Sequence, residues 1–355
     1  MISVFNHPWL GGLFADEDCH ELFATEAQLQ HMLEIEASFS RALGYSGRLN
    51  SELAEAAAKL IGTAKIDVSA LRDGTARDGV VVPELVRQLK RLPGIAEDAV
   101  HNGMTSQDVI DSALSLTLKR VTDLLSARLS AVISCIRRFE IQFGENTVMG
   151  RTRMQAALPI PLSHRLEAWV APLEAHLDRL EGLRGKVELL QLGGPVGTGS
   201  ELGDERKEIA EFMSNALGLK VASCVWHTSR DGIVEYASVL SLISGALGKV
   251  GTDLCLMAQQ GIDEATFQKA GGSSAMAHKN NPVLAELLVT LARFNATQVS
   301  AMHQSLIHEQ ERSGAAWTLE WMVLPQMAMT TSVGLAKATE LLETVQSFGQ
   351  AARDA

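Results

Sequence analysis

The segment AGGSSAMAHKNNP at residues 270–282 combines groups that could act together on an anionic substrate. Backbone N–H groups, a helix N-terminus and Lys279 would supply positive potential there. One of the adjacent serines Ser273 and Ser274, placed in that field, could exchange a proton with a carbon acid. The same residues also suit a plain connection before a helix that has Asn281 as its N-cap and a proline at its first position. Spacing alone leaves both interpretations open.

A second polar segment, HNGMTSQD at residues 101–108, directly precedes a long apolar stripe. Thr105 can cap a helix that begins there, with Asp108 at the third position as a variant capping box. Thr105 and Ser106 could in addition donate to a substrate carboxylate at this helix N-terminus. His101 by itself is more often a structural histidine than a catalyst, so the segment has a structural and a functional interpretation.

Arginines in a third segment are candidates for binding carboxylates. GRTRMQ at residues 150–155 places Arg151 and Arg153 two residues apart, on the same side if the segment is extended, and beside Gln155. Surface charge is the ordinary role of such a pair. In an acidic protein, however, the two guanidinium groups would suit a polyanionic substrate through bidentate contacts.

Two further junctions carry weaker signals. HEQERSGAAW at residues 308–317 is predicted to end the fourth long helix, where Arg312 could complement the helix dipole or clamp another carboxylate. QLGGPVGTG at residues 191–199 lacks the lysine of a phosphate loop, so the sequence gives little support for nucleotide binding.

The elements that must position these junctions are long helices. Five segments carry apolar residues at helical spacing, and nothing of comparable length alternates with the period of a strand. Their approximate ranges are 108–142, 162–190 with Pro172 inside it, 233–257, 284–302 and 319–345. The sequence therefore predicts an all-α, long-helix bundle. Helices so long and apolar, and rich in small residues, favour an oligomer whose subunits cover each other's faces.

A smaller helical region is predicted ahead of the bundle, over residues 1–100. Turn signals interrupt it at Gly44 to Gly47, at Asp73-Gly74 and at Asp78-Gly79. The predicted domain organisation is an N-terminal helical domain at 1–100, the bundle at 101–347 and a short tail at 348–355.

Composition excludes several classes of protein. The 355 residues carry 31 Lys and Arg against 42 Asp and Glu, and the net charge of −11 disfavours a nucleic-acid binder. The four cysteines lie far apart without the spacing of a zinc site, which predicts reduced thiols and no metal. No signal peptide and no uninterrupted run of about 18 apolar residues occur, so we expect a cytoplasmic protein without a membrane segment.

Three of these junctions together resemble the shared segments of the fumarase/aspartase superfamily. GSSAMAHKNNPVLAE at 272–286 resembles the signature G-S-S-x-M-P-x-K-x-N followed by a glutamate, and HNGMTSQDVIDSA and GRTRMQAALP resemble the other two segments. The resemblance implies a 20-helix core in a homotetramer, with each active site assembled from three subunits. It also implies that most of the family's C-terminal domain is missing from this sequence.

The resemblance further implies roles for individual residues. By matching position, Ser273 is the loop serine that acts on the carbon-bound proton, and Lys279 and Asn281 support the bound carboxylate. Glu286 matches a glutamate that normally orients a catalytic histidine. Substrate contacts are implied or suggested for Thr105, Ser106, Gln155, Arg153, Ser274, Met276, His101, Arg230 and Arg312. No cofactor is implied.

Departures from the family pattern limit which of the superfamily's reactions this chain could catalyse. Arg153 stands where amine- and hydroxide-releasing members have a histidine, and an arginine cannot donate a proton because its pKa exceeds about 12. Asp78 stands where adenylosuccinate lyases have a histidine associated with phosphate, and Ala277 stands where the loop usually has proline. In the reverse of a lactonisation, the leaving group is a carboxylate, which departs without being protonated. Such a reaction therefore does not need the missing histidine.

Several runs, among them DGVVVPELVRQLK and HQSLIHEQERSGAAWTLEWMVLPQM, are most similar to the lactonising cycloisomerases of the superfamily. The resemblance therefore implies an isomerase that acts on a small tricarboxylate. A C–N lyase of the same fold that releases fumarate and a non-catalytic helical scaffold remain as alternatives. The intact loop from Gly272 to Pro282 disfavours the scaffold.

Overall fold

The computed structural model describes residues 3–268, 271–272 and 280–351. Ser273, Ser274, Met276, Ala277 and Lys279 lie outside the described residues, so the predictions for these five positions stay predictions. The described chain is mostly helical, as the apolar periodicity predicts.

Short and medium helices form the region before residue 100. They are α1 (Gly11–Phe14), α2 (Glu17–Phe23), α3 (Thr25–Tyr45), α4 (Ser51–Gly62), α5 (Val68–Asp78) and α6 (Val82–Lys90), followed by a 3-10 turn at Glu97–Ala99. Gly79 ends α5 in the left-handed region, with φ 75°, which confirms the predicted turn. The turn predicted at Asp73-Gly74 is wrong, because both residues lie inside α5. A Cβ on Gly74 would lie 2.5 Å from Cβ of Glu84, so the glycine lets α5 and α6 approach closely.

Long helices build the bundle. They are α7 (Ser106–Phe143), α8 (Leu162–Gly182), α11 (Asp231–Met257), α12 (Val283–Gln304) and α13 (Ala315–Glu343), with the shorter α9 (Arg184–Val187) and α10 (Arg206–Leu217) between them. A 3-10 segment, Ser200–Glu205, precedes α10. The second predicted helix is too long, because α8 ends at Gly182 and α9 is a separate turn. Pro172 lies inside α8 as predicted.

Three small two-stranded sheets were not predicted. Strands β1 (Thr147–Thr152) and β2 (Gln155–Pro161) form an antiparallel hairpin, β3 (Leu189–Leu190) and β4 (Lys220–Val221) are parallel, and β5 (Ala265–Phe267) and β6 (Val345–Phe348) are antiparallel. The hairpin occupies the segment that was predicted as a polar helix junction. Its strands are too short for alternation to stand out from the surrounding helical pattern.

Two apolar clusters make the core, and α7 contributes to both. One cluster fills the bundle between α7, α8, α11, α12 and α13. The other packs α3, α4 and α6 against the first turns of α7 and against α10. Small residues bring α11 close to α12, since a Cβ on Gly248 would lie 2.5 Å from Cβ of Ala292.

By length and composition alone, α11 could also cross a membrane, since its most apolar window has a mean hydropathy of 1.4. Half of that window is buried inside the protein, and α11 packs against α8, α12 and α13. A core helix of a bundle has this composition for the same physical reason, namely burial of its apolar face.

Candidate active site

The N-terminus of α7 is held by a buried carboxylate. The predicted capping box is present: the backbone N–H of Thr105 donates to Oδ2 of Asp108 over 3.0 Å. Asp108 is fully buried and also accepts from the backbone N–H groups of Gly193, at 2.7 Å, and Gly194, at 2.9 Å. This carboxylate therefore ties the start of α7 to the glycine-rich segment 191–199. The N–H groups of that segment are used inside the protein and do not form a phosphate loop.

A histidine missed by the sequence analysis completes this arrangement. His227 lies just before α11, and its Nε2 is 3.0 Å from Oδ1 of Asp108. The ring is 2% exposed, and among the described residues Nδ1 has no hydrogen-bond partner. A lone histidine in VWHTSRD carries no spacing signal, because its partner is 119 residues away in the sequence.

Thr105, Ser106, Asp108, His227 and Arg312 are called the Thr105 cluster below. Thr105 is 9% exposed and Ser106 is half-buried, so both lie close beneath the surface at a helix N-terminus. The positive end of the α7 dipole and these two side chains together suit an anionic group.

Arg312 is part of the Thr105 cluster, but it does not lie at the end of a helix. The prediction that it terminates the fourth helix is wrong, because α12 ends at Gln304 and Arg312 lies in the following loop. Its Nε donates to Oε1 of Gln107 over 2.9 Å and its Nη2 donates to the carbonyl of Pro195 over 3.1 Å. Gln107 is fully buried, whereas Arg312 is exposed. The guanidinium is thus fixed on one side and open on the other, as a carboxylate clamp requires.

Arg230 is fully buried in an ion-pair network, which contradicts its predicted role as a substrate ligand. Its side chain is fully buried between Asp111, with contacts of 2.8 and 3.2 Å, and Glu320, with contacts of 3.0 and 2.5 Å. Burial alone would lower the pKa of Arg230, but the two carboxyl groups raise it. Burial raises the pKa of Glu320 in turn. The guanidinium links α7, α11 and α13 and is closed to any ligand.

His101 lies four residues before Thr105 in an uncommon backbone conformation, with φ 59°. Its Nδ1 is 2.6 Å from Oε1 of Glu36, a fully buried residue of α3. Burial lowers the pKa of His101, but the charge of Glu36 and the hydrogen bond to it outweigh burial and raise it. The raised pKa makes the ring of His101, beside the Thr105 cluster, easier to protonate than an ordinary histidine.

The β1–β2 hairpin carries the second group of predicted residues, at the other end of the bundle. Arg151 donates from Nη1 to Oε1 of Glu264 over 2.9 Å, and Arg165 approaches Oε2 at 3.3 Å. Burial would raise the pKa of Glu264, but the N–H of Met149 and these arginines lower it. Glu264 thus fastens the hairpin to the segment that leads into β5.

Arg153 and Gln155 lie at the exposed tip of this hairpin. Arg153 and Met154 form its turn, with φ 50° and 67°, so the chain is not extended at Arg153. The predicted pairing of the two arginines on one side required an extended segment, and that condition is not met. Arg153 and Gln155 remain open to solvent and to other molecules. Arg151, Arg153, Gln155, Arg165 and Glu264 are called the hairpin cluster.

The described residues that flank the loop 273–279 differ from the prediction. Asn281 is not an N-cap, because α12 begins at Val283 and Asn281 instead pairs through its backbone with Gly271, in two hydrogen bonds of 2.8 Å. Its side-chain amide donates to the carbonyl of Gly272 over 3.4 Å. These contacts join the two ends of the loop. Glu286 is exposed in the first turn of α12.

Asp78 is neutralised by its neighbours and is not an isolated acid. It accepts from Arg77 at 2.9 Å and from Arg87 at 2.5 Å, and these hydrogen bonds lower its pKa to about 2. An acid at this position would repel a phosphate, and the two adjacent arginines reduce that repulsion.

The two clusters lie at opposite ends of α7. The Thr105 cluster is at its N-terminus, and the hairpin follows its C-terminal residue Phe143. A helix of 38 residues is about 57 Å long. One chain consequently cannot bring its own Thr105 and its own Gln155 to the same small molecule.

A family model described as Lyase matches residues 49–299, which is well over half of the chain. The chain belongs to this lyase family. Membership confirms the resemblance to the fumarase/aspartase superfamily that the three segments indicate.

Proteins with more than one activity in their names are similar to this chain. The 3-carboxy-cis,cis-muconate cycloisomerase of Acinetobacter baylyi is 35% identical over 346 residues, covering 94% of this chain and 76% of that protein. The N-acetyl-S-(2-succino)cysteine lyase of Enterococcus italicus is 30% identical over 336 residues, covering 94% and 74%. The solved structure of the 3-carboxy-cis,cis-muconate lactonizing enzyme from Pseudomonas putida matches with a TM-score of 0.88 at 32% identity, covering 96% of this chain and 78% of that one.

Proposed function

We propose that the protein is a 3-carboxy-cis,cis-muconate cycloisomerase that forms 4-carboxymuconolactone in the protocatechuate branch of aromatic degradation. The likeness to cycloisomerases over nearly the whole chain carries the proposal. Arg153 supports it, because the position that holds a proton-donating histidine in C–N lyases holds a residue that cannot donate a proton. The free cysteines and small substrate fit a cytoplasmic enzyme.

The reaction is an intramolecular addition. One carboxylate oxygen of the substrate attacks a carbon of the conjugated diene, and a C–O bond forms. The displaced electron pair moves onto a second carboxylate, which becomes an aci-carboxylate, and Ser273 delivers a proton to the adjacent carbon. Because nucleophile and acceptor are in one molecule, holding them in a reactive conformation lowers the barrier by several kcal/mol.

Donors from the Thr105 cluster and from the loop at residues 273–279 would stabilise the developing charge. Thr105 and Ser106 offer hydroxyl donors at the positive end of α7, and Arg312 is held open towards an anion. Lys279 on the loop would supply a further charge. Ser274, Met276, Gln155 and Asn281 would complete the contacts, with Glu286 supporting the loop end of α12.

The distance within one chain supports a site shared between subunits. Since the Thr105 cluster and the hairpin cluster are separated by the length of α7, a site that uses both would combine the N-terminus of α7 from one subunit with the hairpin of another. We therefore propose the 20-helix, homotetrameric assembly of the superfamily, with sites shared between subunits. Exposed apolar side chains on the bundle, including Ile141, Leu242 and Met322, fit burial between subunits.

Mixing two inactive variants tests the sharing of sites. We expect Arg312→Met and Ser273→Ala proteins each to have low activity, and to recover about a quarter of native activity after joint dissociation and reassembly, because random mixing gives each site an independent one-half chance of either native contribution. Each variant taken alone through the same cycle is the control. Absence of recovery in reassembled mixtures would show that both residues act from one subunit.

Replacing Arg153 tests its proposed contact with the tricarboxylate. We expect Arg153→Met to raise KM about tenfold or more with a smaller change in kcat, since one charge-assisted hydrogen bond contributes about 1.5–3 kcal/mol. Arg72→Met is the matched control, because Arg72 is 80% exposed and its ion pair is with the adjacent Asp73. Steady-state kinetics measure both variants. Unchanged KM and kcat in Arg153→Met would remove this residue from the site.

A carbon–sulfur lyase is the second candidate, because N-acetyl-S-(2-succino)cysteine lyases are also among the similar proteins. Loss of the histidine acid does not exclude this chemistry. A thiol has a pKa of about 8.5, so a thiolate can leave without being protonated, unlike an amine. Arg153 therefore argues against C–N lyases more strongly than against a C–S lyase.

Ultraviolet absorbance tests the proposed function directly. Lactonisation interrupts the conjugated diene, so the purified protein should abolish the absorbance of 3-carboxy-cis,cis-muconate and produce 4-carboxymuconolactone. Stable absorbance with a folded, assembled enzyme would overturn the proposal.

A further inference from the structure

The ion pair between His101 and Glu36 has features that packing alone does not require. Glu36 is a fully buried carboxylate in the middle of α3, and only its Oε1 is bonded, to Nδ1 of His101 at 2.6 Å. Its other oxygen, Oε2, has no hydrogen-bond partner among residues 3–268, 271–272 and 280–351. A buried carboxylate bonded in this way is stabilised by a cation rather than by a neutral ring.

The anchoring of Nδ1 leaves the other side of the imidazole available. Nε2 lies across the ring from Glu36 and makes no hydrogen bond within the described part of the chain. The His101 side chain is 16% exposed while Glu36 is not exposed at all, so part of the His101 side chain reaches the surface. His101 also adopts a left-handed backbone conformation, φ 59°, which costs energy for a residue other than glycine.

The charged groups around His101 come from three other elements. Glu36 on α3 and Asp108 on α7 favour the cation, whereas Lys90 at the end of α6 opposes it. The net effect favours the protonated ring. A protonated His101 four residues before the N-cap of α7 supplies a charged N–H donor beside the Thr105 cluster.

We infer that Glu36 is a positioning residue that keeps His101 as an imidazolium, with its Nε2–H available to a carboxylate of the substrate at the N-terminus of α7. The inference rests on the proposed function and adds to it a residue from the N-terminal region that does not touch substrate. This role accounts for two unusual features together. The strained backbone of His101 fixes the orientation of its ring, and the buried carboxylate of Glu36 favours the charged form of that ring.

The Glu36→Gln variant tests this inference through the pH dependence of kcat/KM. Glutamine keeps the size of the side chain and can still accept from Nδ1–H, but it carries no charge. In the wild type, binding should weaken as pH rises through the raised pKa of His101. In Glu36→Gln the cation is lost at lower pH, so kcat/KM should fall about tenfold relative to the wild type at pH values between the His101 pKa of the two proteins and converge with it under acidic conditions, mainly through KM.

Two further variants separate positioning from folding. His101→Gln should lack this alkaline decline, and adding Glu36→Gln to it should cause no further change in the pH profile. Glu55→Gln on α4, whose partner is the exposed Arg41, is the matched control and should keep the wild-type profile. A Glu36→Gln profile that superimposes on the wild type, or that is lowered equally at every pH, would overturn the inference.

Binding of propane-1,2,3-tricarboxylate by calorimetry gives a readout that needs no turnover. Its affinity should show the same pH shift between wild type and Glu36→Gln. If the wild type fails to convert the muconate but shows this shift, the proposed function fails while Glu36 and His101 keep their role. If turnover is normal and the shift is absent, the inference fails alone.

Discussion

Ser273→Ala is expected to lower kcat by about 10²- to 10⁴-fold, because it removes the group proposed to deliver the proton to carbon. KM should change much less, since Lys279, Arg312 and the N-terminus of α7 would still bind the carboxylates. Stopped-flow or steady-state absorbance at saturating substrate measures the effect.

Ser274→Ala is the matched control for this prediction, since it removes the same hydroxyl from the adjacent position. A contact to substrate without proton transfer should raise KM and leave most of kcat. Near-normal turnover by a folded, assembled Ser273→Ala protein, or a larger loss of kcat in Ser274→Ala, would contradict the assignment of Ser273.

Arg230→Met is expected to cost about 3–5 kcal/mol in the free energy of unfolding. Methionine fills a similar volume but leaves the buried carboxyl groups of Asp111 and Glu320 without their cation. Urea denaturation followed by circular dichroism measures the change, with all proteins at one concentration because assembly adds to apparent stability.

An arginine at the surface, Arg137, provides a matched control for the loss of stability expected in Arg230→Met. Arg137 also contacts three carboxylates, on Glu140, Glu167 and Glu174, but its side chain is 36% exposed. Arg137→Met should cost no more than about 1 kcal/mol, because water and salt screen exposed pairs. Equal losses for the two variants would show that burial does not decide the strength of the Arg230 contacts.

The sequence predicts the helices well where local signals are strong. Thr105 and Asp108 mark the start of α7 because a capping box is made within one turn. The hairpin is different, since its turn uses Arg153 and Met154 in left-handed conformations instead of the Asn-Gly or Asp-Gly pairs that normally indicate such turns. Asn281 suits an N-cap by residue type, but its backbone pairs with Gly271 instead, and residue type gives no signal for that pairing.

Long-range partners are the part of the site that sequence reasoning could not supply. Arg230 has the residue type of a carboxylate ligand, and only the fold shows that its carboxylates are Asp111 and Glu320, 119 and 90 residues away. His227 was missed for the same reason, because Asp108 becomes its partner only when the fold brings the segment before α11 to the N-terminus of α7. Residue type indicates the chemistry that a side chain can do, but burial and partners decide whether it is available.

The most direct test of the proposed function compares two substrates on one preparation of the native protein. We predict that kcat/KM for 3-carboxy-cis,cis-muconate exceeds that for N-acetyl-S-(2-succino)cysteine by several orders of magnitude, with 4-carboxymuconolactone identified as the product. The reverse order, with a thiol released from the succinylated cysteine and no loss of the diene absorbance, would contradict the cycloisomerase and identify a carbon–sulfur lyase.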